Sequence, residues 1–288
     1  MKVLLALDGS AESNKAVDQL VNLPFPEKPD VLLVTAVRES PLDLETDIRG
    51  VAVYEAAKKQ ALENIAAAKS KLEDCCGKLE HCVEHAHPNA LILREAEKHE
   101  VDLIVLGARG HNAIYRVVVG STTEFVASHA KCNVLVVRGD TNVSDGWSLL
   151  LPYDGSEQAQ LARRHMNSFN WPAGTPLHIA MLLERPSLIP ETEVYDPPEL
   201  KRFEKEVGGL SLERFDAKDV TRTVREAFHI GTSLRDMAEN DNAKLVFVGA
   251  TGKSAVAQFF LGSVSRYLLH HSPCSLWLAR PNEWPSNE

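Results

Sequence analysis

The sequence has no long hydrophobic run: nowhere do about 18 apolar residues follow one another, as a membrane-spanning helix requires. The apolar start at residues 3–7 leads directly into Asp8, so we expect no secretory signal peptide. Basic residues are the minority, 31 against 40 acidic residues with a net charge of −9, and they form no stripe. These absences favour a cytoplasmic protein and argue against nucleic acid or an anionic membrane as its main partner.

Cysteine is scarce, and its spacing is not that of a disulfide framework. Five cysteines are an odd number in a chain of 288 residues, so we expect reduced thiols. Cys132 and Cys274 recur at equivalent places and are interpreted as small buried residues. Neither they nor the adjacent pair Cys75 and Cys76 support a redox role.

A metal site is only weakly indicated. His81, His85 and His87 would share one face of a β-strand, because side chains alternate along a strand with a period of two. No matching set of carboxylates or cysteines accompanies them, so an exposed polar strand face is preferred over a zinc site.

A P-loop is absent as well. Gly252-Lys253-Ser254 resembles the end of one, but the pattern GxxxxGK[ST] requires glycine where this chain has Phe247. Any phosphate site must therefore be built differently.

What the chain does contain is one glycine pattern, found twice. Each copy follows a short apolar run and reads glycine, two residues, glycine, nine residues, then glycine and serine. The glycines are Gly107, Gly110 and Gly120 in the first copy and Gly249, Gly252 and Gly262 in the second, each 142 residues from its counterpart. The triplet Asp-Gly-Ser also occurs twice, at Asp8 and at Asp154. Two half-chains derived from one ancestral unit are therefore indicated.

Each half alternates apolar strand-like segments with amphipathic helical ones. In the first half strands are predicted at 3–7, 31–37, 79–87, 102–106 and 133–137, and helices at 10–21, 51–72, 90–99 and 121–130. This order predicts an α/β fold: two tandem doubly wound, Rossmann-like domains, each a five-stranded parallel sheet with α-helices on both faces.

The second half repeats this pattern with changes. Strands are predicted at 148–152, 177–183, 220–229, 245–248 and 275–278. The proline-rich segment 184–198 is interpreted as a loop, and a helix with Leu200, Phe203 and Val207 should follow it and end near Gly208. The polar stretch 139–146 separates the halves, so we assign the domains to residues 1–140 and 147–281.

The glycines fall where an open parallel sheet binds ligands, beyond the carboxyl ends of its strands. Glycine at 107 or 110 would let the backbone approach a ligand or adopt positive φ. Gly120 and Ser121 begin a helix, whose first amides lack internal partners and favour an anion such as phosphate. We therefore expect Ser121, Thr122 and the amides of 120–122 to hold a phosphate chain, and Gly262, Ser263 and Val264 to do so in the second half.

Asp8 and Asp154 end the first strand of each half at the same edge. A carboxylate there would accept hydrogen bonds from ribose hydroxyls or coordinate Mg²⁺ bound to the phosphates. The alternative is helix capping, since each triplet precedes a helix. We assign the cap to the serine and the ligand to the aspartate.

The repeated motif resembles that of the nucleotide-binding universal stress proteins, which carry G-x2-G-x9-G-[S/T], and the similarity covers nearly the whole chain. The resemblance implies that each half binds ATP, with or without Mg²⁺, with its aspartate near the ribose and the backbone near Ala36 or Leu182 at the adenine. It also implies pairing through the last strands, as a pseudo-dimer of the two halves or as a homodimer. Arg109 in one motif stands where the other has Thr251, so we expect the two sites to differ in affinity.

No general base or phosphoryl acceptor is identifiable, so the leading hypothesis is a nucleotide-dependent stress-response or signalling module rather than an enzyme. Two alternatives stay open. One is a slow ATPase or autophosphorylating enzyme, and the other is an interaction protein that acts without nucleotide.

Overall fold

The computed structural model describes residues 1–37, 48–109, 119–185, 198–251 and 261–282, and for 48–51 and 198–199 it describes the main chain alone. The chain divides into two compact units after Arg138. The first unit is Met1–Arg138 together with Pro281 and Asn282, and the second is Gly139–Arg280. Gly110 and Gly252, which the motif assigns to the site, lie outside the described residues, as does the proline-rich segment 186–197.

The first unit is a five-stranded parallel sheet with helices on both faces. Its strands are β1 (Lys2–Ala6), β2 (Asp30–Val37), β3 (Leu79–His85), β4 (Leu103–Gly107) and β5 (Asn133–Val137). Its helices are α1 (Ala11–Asn22), α2 (Ile48–Leu72), α3 (Pro88–Lys98) and α4 (Ser121–His129). The strand order is β3-β2-β1-β4-β5, with Leu5 opposite Leu33 on one side and Val105 on the other.

The second unit has the same plan. Its strands are β6 (Leu149–Pro152), β7 (Leu177–Glu184), β8 (Val220–Ala227), β9 (Leu245–Gly249) and β10 (Ser275–Ala279). Its helices are α5 (Glu157–Ser168), α6 (Pro198–Gly208), α7 (Ile230–Asn240) and α8 (Ser263–His271). The order is β8-β7-β6-β9-β10, so the predicted fold class is confirmed.

The core of each unit lies on the central strands, which read as continuous apolar runs because helices cover both faces. Every residue of β4, β5, β9 and β10 is buried, whereas β3 and β8, at the outer side of each sheet, are partly exposed. In the second unit Phe247 of β9 and Trp277 of β10 stack with ring centroids 5.4 Å apart. None of the described helices has both the length and the apolar character that crossing a membrane needs.

The sequence placed the ends of β3 and β8 two residues too late and the start of α3 two residues too late. β3 ends at His85, and His87 instead caps α3, its Nδ1 accepting a hydrogen bond from the amide of Asn89 at 3.3 Å. His229 caps α7 in the same way, accepting from the amide of Thr232 at 3.1 Å. His87 and His229 were predicted as strand residues, but each caps the helix that follows.

This correction also bears on the histidine alternative. His87 is off the strand, so the three histidines do not share a strand face. His81 lies 3.1 Å from the ammonium of Lys69, and the ring of His85 packs edge-on against Tyr54.

Candidate functional site

The strand order creates a switch point in each unit, which is where open α/β sheets bind ligands. In the first unit the chain winds outward from β1 through β2 and β3, then crosses to β4 and β5 on the other side. The crevice therefore opens beyond the carboxyl ends of β1 and β4, where Asp8 and Gly107 lie. In the second unit β6 and β9 bring Asp154 and Gly249 to the same place.

A cavity fills the crevice of the second unit. Its volume is about 680 Å³ including the open mouth. Apolar side chains from three elements, β7, α7 and β9, line one part of it: Ala180, Leu182, Ile230, Leu234 and Val248. Polar residues line another part, among them Asp154, Ser156, Thr251, Ser263 and Ser265. A largely apolar cavity with a few converging polar groups is suited to a flat ring that carries a polar or charged tail.

The aspartates sit in matching turns that the Asp-Gly-Ser triplet builds. Oδ1 of Asp154 accepts a hydrogen bond from the amide of Ser156 at 3.0 Å, and Oδ1 of Asp8 accepts from Ser10 at 3.0 Å. The glycine between them has φ of +77° at Gly155 and +76° at Gly9, in the region that favours glycine. One carboxylate oxygen thus shapes the turn, and no described residue occupies the other, Oδ2.

The serines are the helix caps, as the sequence predicted. Ser10 Oγ accepts from the amide of Ser13, and Ser156 Oγ accepts from the amide of Ala159, both at 3.1 Å. Capping of α1 and α5 therefore does not need the aspartates.

Of the two roles expected of the first motif glycine, approach to a ligand and positive φ, the second is wrong, and a close contact with a helix is an additional role. Neither Gly107 nor Gly249 has positive φ. A Cβ atom at Gly107 would lie 2.7 Å from the carbonyl carbon of Glu12 in α1, and one at Gly249 would lie 2.7 Å from the Cβ of Gln158 in α5. These glycines allow a helix backbone to pack directly on the end of the strand, although Gly249 also lines the cavity.

The third motif glycine begins α4 in the first unit and α8 in the second. Gly120 and Gly262 are the N-cap residues, and in the described part of the chain no side chain caps either helix. Their own amides are occupied, because Gly120 donates to the carbonyl of Ala108 and Gly262 to that of Ala250, both at 2.8 Å. The expectation that amide 120 holds phosphate is therefore wrong, and among the described residues the amides without an acceptor begin one residue later, at Ser121 and Ser263.

A buried hydroxyl joins each of these helices to its strand. Thr123 Oγ1 donates to the carbonyl oxygen of Gly107 at 2.8 Å, and Ser265 Oγ donates to that of Gly249 at 2.6 Å. This hydrogen bond fixes the start of the helix relative to the end of the strand. The repeated motif therefore includes a hydroxyl residue, three positions after its third glycine, as well as the glycines.

The remaining predicted residues divide between the cavity and its surroundings. Leu182 and Val264 line the cavity, and the exposed Ser121 and half-buried Thr122 form the first turn of α4. Ala36 and Leu182 lie within β2 and β7 rather than beyond them, with Ala36 opposite Glu84 in the register. Arg109 is half-buried, whereas its counterpart Thr251 lies in the cavity.

Sequence reasoning missed several cavity residues because they come from helices without a motif. Ile230 and Leu234 stand one turn apart at the start of α7, a spacing that the helical period alone would have shown. Tyr153, which follows β6 and also lines the cavity, was missed as well. Glu206 lies close by, since its Oε1 would be 2.5 Å from a Cβ atom at Gly155. Burial and, to a lesser extent, the charge of Glu206 raise the pKa of the Tyr153 hydroxyl.

Comparison with known proteins gives consistent relatives. The chain is similar to a universal stress protein of Mycolicibacterium smegmatis, 25% identical over 289 residues that span 97% of each chain. The universal stress protein YxiE of Bacillus subtilis is 28% identical over 146 residues, which cover 48% of this chain and 98% of that protein. Because the match covers nearly all of this relative but only half of this chain, it agrees with a chain of two repeated units.

Solved structures agree on the fold. A universal stress protein from Archaeoglobus fulgidus superposes with a TM-score of 0.66 at 21% identity, covering 97% of this chain and 98% of that one. A structure from Pseudomonas aeruginosa described as a putative universal stress protein gives a TM-score of 0.63 at 13% identity, covering 98% and 93%. The model of the universal stress protein family matches twice, over residues 1–138 and 148–280. The chain therefore belongs to the universal stress protein family.

Proposed function

We propose that each unit binds an adenine nucleotide, ATP in the first place and with or without Mg²⁺, at its switch point, and that occupancy makes the protein a nucleotide-dependent stress-response module. The observation that carries the proposal is the second-unit cavity, where an apolar pocket, an uncapped helix start and a carboxylate oxygen without a described partner converge. The adenine ring matches the apolar pocket, the phosphate chain matches the helix start, and the ribose hydroxyls match the carboxylate oxygen.

The phosphates belong at the starts of α8 and α4. Amides at a helix N-terminus point outward and carry partial positive charge, so they attract an anion without a basic side chain. Hydrogen bonds to a charged oxygen contribute about 1.5–3 kcal/mol each. The amides and hydroxyls of the first turn therefore suffice, and the negative net charge of the chain is no obstacle.

The ribose belongs at the aspartates. Oδ2 of Asp154 accepts a hydroxyl proton, while Oδ1 stays on the Ser156 amide and keeps the carboxylate in place. Asp8 and Ser10 repeat this arrangement in the first unit. The base packs against the apolar side chains of β7 and α7, close to the backbone of Leu182.

Native mass spectrometry of the full chain, purified without added nucleotide and then titrated with Mg-ATP, tests the proposal. We expect two adenine nucleotides per chain. Gly262→Val should remove one and Gly120→Val the other, and each variant controls for the other because the motif is repeated. Both glycines have φ near −65°, −63° at Gly262 and −67° at Gly120, so valine fits the backbone. Unchanged stoichiometry in both variants would refute the assignment.

We also propose a cytoplasmic location. All five cysteines are free thiols, which is the usual state in a reducing compartment. Labelling of the thiols in intact cells, before and after permeabilisation, tests this. Pairing of the units through their last strands stays a prediction.

A further inference from the structure

Two adjacent thiols stand at the opposite end of the first sheet from the nucleotide site. Cys75 and Cys76 follow α2 in a turn that leads to β3, and their Sγ atoms lie 3.8 Å apart. Cys75 is half-buried and Cys76 is buried, so the pair is reached from solvent through Cys75. The turn lies beside Pro29 and Asp30 at the amino end of β2, whereas Asp8 and Gly107 lie at the carboxyl ends of β1 and β4.

Main-chain hydrogen bonds hold the pair in this geometry. The amides of Cys75 and Cys76 both donate to the carbonyl of Leu72, at 3.0 and 3.1 Å. On the far side of the turn the amide of Gly77 donates to Pro29 at 2.9 Å. Gly77 has no room for a side chain, since its Cβ would lie 2.8 Å from Oδ1 of Asp30. The two sulfurs are therefore placed in advance and not brought together by a flexible loop.

The separation of the sulfurs matches chelation better than oxidation. Two thiolates bound about 2.3 Å from one tetrahedral ion lie about 3.8 Å apart, and the sulfurs here already have this separation. A disulfide is disfavoured, because adjacent Cα atoms are about 3.8 Å apart and ordinary disulfides need at least about 4.4 Å. Thiolate ligands select soft ions over Mg²⁺ or Ca²⁺.

We propose that Cys75 and Cys76 form a two-sulfur chelating site for a soft, thiophilic metal or metalloid ion. The ion bonds to both sulfurs and displaces both thiol protons, with no change in oxidation state. For a divalent cation the two protons pass to solvent. For an arsenic(III) oxide R–As=O the oxygen leaves as water with those two protons, and two As–S bonds form.

The protonation of Cys76 sets a cost on binding. Burial and, to a lesser extent, the charge of and the hydrogen bond with Cys75 raise the pKa of the Cys76 thiol to about 12. This sulfur is therefore protonated at neutral pH. A bound ion must replace that proton, and occupancy therefore rises with pH. The same protonation keeps Cys76 a poor nucleophile toward peroxides and disulfides when no ion is present.

The test uses the full chain, reduced with a phosphine, and two probes. Cd²⁺ is titrated by its sulfur-to-metal charge-transfer absorption, and phenylarsine oxide by intact mass after washing with an excess of a monothiol. We compare the wild type with Cys75→Ser and Cys76→Ala. Cys82→Ser is the matched control, because it removes another half-buried thiol of the same unit and leaves the pair intact.

We expect one ion per chain and a monothiol-resistant arsenical. Loss of either sulfur should weaken binding about 100-fold or more, since the second bond is intramolecular, and Cys82→Ser should not change it. Binding of Cd²⁺ alone assigns the site to divalent metals, and binding of phenylarsine oxide alone assigns it to arsenicals. Absence of binding by both probes, or binding that survives loss of either sulfur, would overturn the proposal. Mg-ATP stoichiometry, measured in the same samples, reports separately on the nucleotide sites.

Discussion

A Cβ atom at Gly249 would lie 2.7 Å from the Cβ of Gln158, so the end of β9 and the first turn of α5 touch at a point where only glycine fits. Gly107 and Glu12 repeat this contact in the first unit. Alanine at either glycine would force the helix to shift, and overpacking of this kind costs about 1–3 kcal/mol. We expect Gly249→Ala and Gly107→Ala each to lower the free energy of unfolding by this amount, measured by urea denaturation.

Gly208→Ala is the control for these two variants. Gly208 lies in α6, with nothing within 4 Å of its Cβ position. Alanine there should leave stability unchanged or raise it by up to about 1 kcal/mol. If Gly249→Ala had the free energy of unfolding of the wild type, α5 would be able to shift away from residue 249 without loss of stability.

Ser265→Ala tests the hydroxyl that joins α8 to β9. Its loss leaves the buried carbonyl of Gly249 without its partner at 2.6 Å, which costs about 1–3 kcal/mol. Because the start of α8 then loses its tether, Mg-ATP affinity should also fall, in the second unit alone. Calorimetric titration and urea denaturation measure the two effects.

Ser265→Thr is the matched variant, because Thr123 makes the same bond in the first unit at 2.8 Å. It should restore affinity and most of the stability. Equal affinities for wild type and Ser265→Ala would mean that helix placement does not depend on this bond.

Asp154→Asn separates the two roles of the aspartate. The asparagine carbonyl still accepts from the Ser156 amide, so stability should change little. The negative charge that we propose to face the ribose is lost, and a hydrogen bond to a charged group is worth about 1.5–3 kcal/mol. We expect ATP affinity in the second unit to fall about 10- to 100-fold by calorimetric titration.

Asp8→Asn should produce the same loss in the first unit, and the double variant should lose both sites. Wild-type affinity in both single variants would remove the aspartates from the site.

Glu95 is a buried carboxylate, 2% exposed, with two basic neighbours on α3 and a third, His99, at its C-cap. It accepts from Arg94 Nε at 3.2 Å and from Lys98 Nζ at 3.1 Å, and His99 Nε2 lies 3.5 Å away. Burial opposes its ionisation, but the hydrogen bonds from Lys98 and Arg94 outweigh burial and lower the pKa of Glu95 below 4.5. As the pH falls, the Glu95 carboxylate therefore becomes protonated at a higher pH in the unfolded chain than in the folded protein. The stability that ionised Glu95 contributes is complete above about pH 4.5 and is lost as the pH drops through its folded pKa.

Glu95→Gln should lower the free energy of unfolding at pH 7 by about 1–3 kcal/mol. The difference from wild type should shrink on acidification below pH 4.5, in urea denaturation at a series of pH values. Glu97→Gln is the control, since Glu97 is a half-exposed neighbour on the same helix. A difference that stays constant with pH would mean that Glu95 acts through packing alone.

Part of the geometry of the candidate site was predictable from the sequence. The Asp-Gly-Ser triplet predicted a capped helix after a strand, and Ser10 and Ser156 are those caps. Strand position placed Asp154 and Gly249 at one edge, because parallel strands end together. The side chains of Ile230 and Leu234 carried no such signal, since apolar residues at helical spacing look the same in a core and in a cavity.

The sequence by itself determined the duplication, the order of strands and helices, and the edge of each sheet at which the motif lies. These follow from local periodicity and from a pattern repeated in one chain. Only the tertiary structure decided which groups are already engaged. It showed the amide of Gly262 bonded to Ala250, the space at Gly249 filled by α5, and the sulfurs of Cys75 and Cys76 held 3.8 Å apart. Such facts depend on distances of tenths of an ångström between elements far apart in the chain, which a pattern of residue types does not encode.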